Sequence, residues 1–76
     1  MERFDKLIYE MQAHAEEDYP REACGVILKD FSYVRVDNLS NTPTITFELD
    51  PGALVKYDDQ IWGIFHSHPG EEQPLP

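Results

Sequence analysis

Two short runs of almost uninterrupted apolar residues, 23–28 and 61–65, set the tightest limits on what this chain can fold into. Apolar runs of this length, without alternating polar positions, are typical of strands that are buried on both faces of a sheet. Each run therefore predicts a strand in the interior of a sheet. By the same reasoning, Trp62 and Phe65 are expected to be core residues.

The remaining segments predict two helices and two further strands. Near the N terminus, apolar residues recur at helical spacing, with mostly charged residues between them. Asp50 and Pro51 combine a favourable N-cap with proline at the first helical position, so a short helix is expected to begin there. Two other segments alternate polar and apolar positions, as strands with one buried face do. The predicted elements are a helix over 3–16, strands at about 23–29, 33–37, 44–49 and 60–66, and a short helix at about 51–57.

The order of these elements bounds the fold class. A helix, three strands, a short helix and a further strand predict an α/β or α+β layer in which helices flank a mixed sheet. Residues 29–32 are expected to form the hairpin turn between the first two strands. In the third strand, Ile45, Phe47 and Leu49 are expected to face the core. A chain of 76 residues is sufficient for one domain at most.

The charge balance argues against two classes of partner, and the cysteine content bears on the location of the protein. Six basic residues against fifteen acidic ones give a formal net charge of −9, which opposes binding to nucleic acid and to anionic membrane surfaces. The sequence has no apolar run that resembles a signal peptide or a membrane span. A single cysteine fits a reducing compartment, so a cytoplasmic location is expected. Cys24 is expected to fill space rather than to act as a nucleophile, and His14 to be a packed or boundary residue.

The second apolar run leads directly into a pair of histidines. His66 and His68 are two residues apart, so an extended chain points both imidazoles to the same side. Pro69 then ends the strand. Zinc favours nitrogen ligands, and catalytic zinc sites typically use three protein ligands with water in the open position. Taken alone, these histidines could also be hydrogen-bonded core groups or exposed loop residues.

Two segments together resemble the JAMM metalloprotease motif of the MPN domain family. One is His-Ser-His-Pro at 66–69, and the other is Pro-Arg-Glu-Ala-Cys-Gly at 20–25. Further matches make nearly the whole chain similar to the N-terminal domain of phage tail assembly proteins of the lambda K type; they lie at 13–15, 38–40 and 47–51. In the full JAMM motif, seven residues after the proline are followed by a serine and, three places later, an aspartate. Both positions fall beyond residue 76, so the chain is expected to be a partial domain, truncated after the His-Ser-His-Pro strand.

The resemblance implies a zinc-dependent peptidase. His66 and His68 would be zinc ligands, Glu22 the general acid/base for amide hydrolysis, and Ser67 a supporting residue. Glu22 and His66 would then belong to neighbouring strands, expected to be parallel, with both residues at the same edge of the sheet. The implied partner is a protein or peptide substrate, either ubiquitin-like or from a phage tail. The implied location is the host cytoplasm or the virion tail.

The absent serine and aspartate keep a second hypothesis open, which is a catalytically inactive MPN-like module for assembly or protein interaction. We expect these 76 residues alone to bind zinc more weakly than a complete site and to show little proteolysis. Glu71 and Glu72 are expected to be solvated, although either could occupy the vacant coordination position. Asp58 and Asp59 are expected to be turn residues. An exposed sheet edge would also favour a homodimer.

Overall fold

The computed structural model describes residues 2–69, which form a small α+β layer. A long helix, two strands, a short helix, a single turn of 3₁₀ helix and a third strand follow one another along the chain. Their bounds are α1 (Glu2–Asp18), β1 (Cys24–Leu28), β2 (Tyr33–Val36), α2 (Pro51–Tyr57), the 3₁₀ turn (Asp58–Gln60) and β3 (Ile61–His66). The predicted fold class, with helices and a sheet in one layered unit, is confirmed. Glu71 and Glu72 lie outside the described residues.

The three strands form an antiparallel sheet in the order β2-β1-β3. The prediction that the strands of Glu22 and His66 are parallel is therefore wrong. After β2 the chain returns to the far end of β1, where the Lys29 amide donates to the Gln60 carbonyl. From there β3 runs back toward the start of β1. Only this direction brings the C-terminal end of β3 beside the residue that precedes β1. A strand parallel to β1 would end beside the C-terminal end of β1 instead.

The strand β1 is the buried centre of the molecule, as its apolar run predicts. Ala23, Cys24 and Val26 are completely buried. The other apolar run behaves differently, because β3 is paired along one side only among the described strands. Trp62 is 60% exposed, so its assignment to the core is wrong, and Phe65 is half-buried.

The hairpin between β1 and β2 turns without a glycine. Phe31 adopts the left-handed conformation, with φ of 68°, and the Asp30 carboxylate accepts hydrogen bonds from both the amide and the hydroxyl of Ser32. Such an Asx-type contact stabilises the turn in the absence of a glycine. At Gly25, in contrast, a side chain could not be accommodated, because an added Cβ would overlap the Tyr33 ring and the Val34 carbonyl.

The predicted strand at 44–49 is absent from the structure. Residues 43–45 form a turn, and the segment makes only an isolated bridge between Asn38 and Leu49. Ile45 is 70% exposed rather than in the core, while Phe47 and Leu49 are half-buried. The physical reason is that the Asn38 side chain binds backbone groups of this segment and so replaces a strand ladder.

The two helices are built as their sequences predict. Leu7 and His14 are the buried residues of α1. The His14 imidazole bonds the Tyr33 hydroxyl at 2.7 Å and lies 3.2 Å from the Asp18 carboxylate, so it is a packed residue. The Asp50 carboxylate caps α2 by accepting from the Gly52 amide at 2.9 Å. Over residues 2–69, neither helix has the length and apolar character needed to cross a membrane.

Candidate metal centre

The pairing of β3 with β1 places the two predicted parts of the site next to each other. Cys24 lies opposite His66 in the antiparallel register. One residue further on, the Ser67 amide donates to the Ala23 carbonyl at 3.0 Å, and the Ala23 amide donates to the Ser67 hydroxyl oxygen at 2.9 Å. Glu22 directly precedes this point, so its side chain meets the histidines where the two strands end. Ser67, predicted as a supporting residue, thus ties the ends of the strands together.

Glu22, His66 and His68 form a compact group of potential ligands. One ligating atom from each residue can be chosen so that all three lie within 4.8 Å of one another. The two imidazole rings are 4.5 Å apart and meet edge to face. Nδ1 of His66 lies 3.5 Å from Oε1 of Glu22.

Two polar atoms at the centre of this group are buried and unsatisfied. Oε1 of Glu22 and Nδ1 of His66 have no hydrogen-bond partner within the described part of the chain. Glu22 is only 5% exposed, and a buried carboxylate oxygen without a hydrogen-bond partner is costly. Two imidazoles and a carboxylate are donors that suit zinc. The site therefore fits a divalent cation, both in its donor types and in the unused bonding capacity of its buried atoms.

The segment between β2 and α2 closes one side of the site. The Phe47 ring stacks on the His66 imidazole at a centroid distance of 4.2 Å and an interplanar angle of 16°. The Glu22 amide donates to the Pro43 carbonyl at 2.6 Å, and the Glu22 carbonyl accepts from the Asn38 side chain at 2.9 Å. The site is thus supported by contacts that depend on this irregular segment.

Asn38 and Phe47 are site residues that the sequence did not identify. An asparagine after a strand is a signal for a side chain that bonds nearby backbone, but the signal does not say which backbone groups it will bind. Phe47 has the alternating pattern of a strand residue, and that pattern assigned it to the core. The stacking partner of Phe47 lies 19 positions away in sequence and is fixed only by the tertiary fold.

An open groove of about 680 Å³ leads up to the histidines. One wall is a face of α1 that carries Ile8, Met11 and Ala15. The other wall is the end of β3 and the residues that follow it, from Phe65 to Pro69. Its mainly apolar lining and its position beside both imidazoles make it a path by which an extended polypeptide could reach the site.

The single cysteine does not belong to this site. The Cys24 thiol is buried and points toward the Val36 carbonyl. Burial raises the pKa of Cys24 to about 11, so the thiolate is not formed near neutral pH. The structure agrees with the expectation that Cys24 fills space and is not a nucleophile.

Comparison with known proteins identifies the family of the chain. Residues 4–75 match the family described as prokaryotic homologs of the JAB domain. The chain is 41% identical over 71 residues to tail tip assembly protein K of Escherichia phage N15, an alignment that covers 84% of this chain and 28% of that protein. It is 33% identical over an 86-residue alignment to desampylase of Haloferax volcanii, which covers 95% of this chain and 60% of that protein.

The chain thus spans less than two thirds of the length of each of these relatives. No solved structure gave a significant match. The family match extends over almost the whole chain and includes both segments that carry the JAMM-like motif. The resemblance found in the sequence is confirmed, and the chain belongs to the family of prokaryotic homologs of the JAB domain, a JAB/MPN-like fold.

Proposed function

We propose that this chain is the metal-binding part of a JAMM-type peptidase or isopeptidase, which hydrolyses an amide bond with zinc as its cofactor. The observation that carries the proposal is the buried, unpartnered carboxylate oxygen of Glu22 beside two imidazoles. Burying a carboxylate costs solvation energy, and a bound cation or a proton that it accepts can offset this cost. Such carboxylates are therefore candidates for functional sites.

The three side chains take different roles in this proposal. His66 and His68 hold the ion through ring nitrogens. When bound, zinc would lower the pKa of a coordinated water toward ~7, which would make a nucleophile available near neutral pH. Glu22 accepts the proton at its carboxylate and returns it to the leaving amine, which is the role of a general acid/base.

The position of Glu22 suits proton transfer. Its backbone amide donates to the Pro43 carbonyl, and its backbone carbonyl accepts from the Asn38 side chain. Its Oε1 atom makes no hydrogen bond within residues 2–69 that would have to break. A catalytic base that is fixed by its backbone and free at the reacting atom requires little reorganisation when the proton moves.

We infer that the substrate is a protein or a peptide. One relative is named as a tail tip assembly protein and the other as a desampylase, and these names support a protein partner. The groove that leads to the histidines is open and mainly apolar, which suits the apolar side chains of an extended peptide. The net charge of −9 opposes a nucleic-acid substrate.

A second candidate function is metal binding without catalysis, in an assembly or interaction module. One observation favours it: within the described residues, a group of three ligands exists only if Glu22 itself is counted as a ligand. If Glu22 binds the ion directly, no other carboxylate of that group is left to act as the base.

Calorimetric titration with zinc separates these functions. We expect His66→Ala and His68→Ala to abolish specific zinc binding, and Glu22→Gln to retain it. Asp59→Asn is the matched control, because Asp59 is an exposed acidic residue outside the site. Equal heats from all five proteins, wild type included, would reject the metal site. Loss of binding in Glu22→Gln would favour the second function.

Catalysis itself is tested on the product of the whole gene. Under the first function, the codons after Pro76 should encode the two remaining residues of the motif: a serine at the eighth position after Pro69 and an aspartate three places later. Zinc-dependent cleavage of a peptide substrate should then be abolished by Glu22→Gln. Cleavage that persists in this variant would remove Glu22 from the mechanism.

A further inference from the structure

The side chain of Asn38 is buried and makes hydrogen bonds at every position it has. Its amide nitrogen donates to the carbonyls of Glu22, at 2.9 Å, and Thr46, at 3.0 Å. Its amide oxygen accepts from the backbone amides of Ser40 and Glu48, both at 3.0 Å. Asn38 is 7% exposed. A buried amide whose bonds are all satisfied holds its partners in one arrangement, because any shift leaves a polar group unpaired.

The partners of Asn38 belong to two different parts of the candidate site. The Glu22 carbonyl adjoins the proposed base. The other three partners belong to the segment 38–48, which has no strand ladder of its own and carries Phe47. Asn38 therefore connects the backbone of the base to the backbone that presents Phe47.

Phe47 in turn contacts a proposed zinc ligand. Its ring lies against the His66 imidazole at 4.2 Å and nearly parallel. Nδ1, on the edge of the same imidazole, lies 3.5 Å from Oε1 of Glu22 and has no hydrogen bond in the described structure. With no hydrogen bond to orient it at Nδ1, the His66 ring depends on packing for its orientation. Phe47 covers the face of the ring, and His68 meets it edge to face.

We propose that Asn38 and Phe47 are positioning residues of the metal site, with Asn38 fixing Glu22 and Phe47 fixing His66. This proposal rests on the proposed function, because it takes His66 to be a zinc ligand and Glu22 to be the base. Groups that orient metal ligands typically change metal affinity by about 10- to 100-fold when they are replaced. Loss of Phe47 should therefore weaken zinc binding, and loss of Asn38 should do so by releasing the segment that carries Phe47. Neither residue is a ligand.

The first experiment observes the imidazole C–H signals of the metal-free protein by NMR, where only three histidines contribute. The stacked Phe47 ring shields the His66 protons and shifts their signals upfield. Asn38→Asp keeps the size and the acceptor oxygen but removes both N–H donors, so the segment should detach and the upfield shift should be lost. The His14 signals report whether the distant contact with Tyr33, and hence the fold, is intact.

Three further variants complete the design. Asn41→Asp is the control, since it makes the same chemical change at an exposed asparagine of the same segment. Asn38→Ser, which substitutes a single hydroxyl for the side-chain amide, replaces Asn38→Asp if the His14 signals show that the aspartate variant does not fold. Phe47→Leu removes the ring but not the hydrogen bonds of Asn38, and its zinc affinity should fall by about 10- to 100-fold.

The outcomes distinguish this inference from the proposed function. If wild type binds no zinc, the proposed function fails, yet the His66 signals of the metal-free variants still test the role of Asn38. An unchanged His66 signal in a folded Asn38 variant overturns that role. Undiminished zinc affinity in Phe47→Leu overturns the role of Phe47.

Discussion

Replacing Glu22 by glutamine should stabilise the metal-free protein. Oε1 of Glu22 is buried, is 3.5 Å from the equally buried Nδ1 of His66, and bonds to no other group in residues 2–69. Glutamine keeps the shape, removes the charge and can present an N–H toward that nitrogen. The unsatisfied buried group costs roughly 1–3 kcal/mol, and more where it is charged.

The expected size of the effect follows from the length of the chain. For a domain of this size, a change of about 1 kcal/mol moves Tm by ~4–8 °C. Glu22→Gln should therefore melt at least ~4 °C above wild type when zinc is removed by a chelator. Saturating zinc stabilises wild type through its binding energy, so it should raise the melting temperature of wild type as well.

Thermal unfolding followed by circular dichroism measures both conditions. Glu48→Gln is the matched control, because Glu48 is an exposed glutamate outside both helices and its neutralisation should leave Tm nearly unchanged. An equal or lower Tm for Glu22→Gln in the chelator would refute the reasoning. It would mean that the carboxylate is stabilised in the metal-free protein and is not held there at a cost.

Three other predictions concern the rest of the molecule. Val26→Ala should lower the free energy of unfolding by about 2 kcal/mol, since this side chain is fully buried, and Ile64→Ala should cost less, because Ile64 is 50% exposed; urea unfolding compares them. Cys24, whose pKa burial raises to about 11, should react with a thiol reagent near neutral pH only when the protein unfolds, and fast labelling of the folded chain would contradict this. Burial lowers the pKa of His14 below its usual 6.5, so the unfolded chain takes up the proton first and stability should fall as pH drops below ~6.5. His14→Gln should lose less of its Tm over that range, and a parallel decline would exclude His14 as the cause.

The parts of the structure that depend on local pattern could be predicted from the sequence. The apolar run at 23–28 predicts a central strand, and β1 is indeed buried on both faces. The Asp50 cap and Pro51 determine the start of α2 through contacts within three residues. The spacing of His66 and His68 likewise acts locally, since it requires only an extended chain.

The parts that depend on connections between elements could not be predicted in this way. Alternation at 44–49 is compatible with a strand, but Asn38 already bonds the Thr46 carbonyl and the Glu48 amide. Trp62 belongs to an apolar run, yet its strand has a neighbour on one side only among those described. In both cases the structure depends on which element packs against the segment. The periodicity of the sequence does not specify that neighbour.

The direction and register of β3 are the features on which the candidate site depends most. Shifting a strand by one residue turns every side chain to the opposite face of the sheet, which would take His66 away from Glu22. The paired hydrogen bonds between Ser67 and Ala23 fix the register at the end where the site lies. The irregularity in the pairing falls at the other end, between Ile27 and Leu28. Variation in the chain before β3 can therefore be absorbed far from the histidines, whereas a change that breaks the Ser67 contacts should separate the proposed ligands from the proposed base.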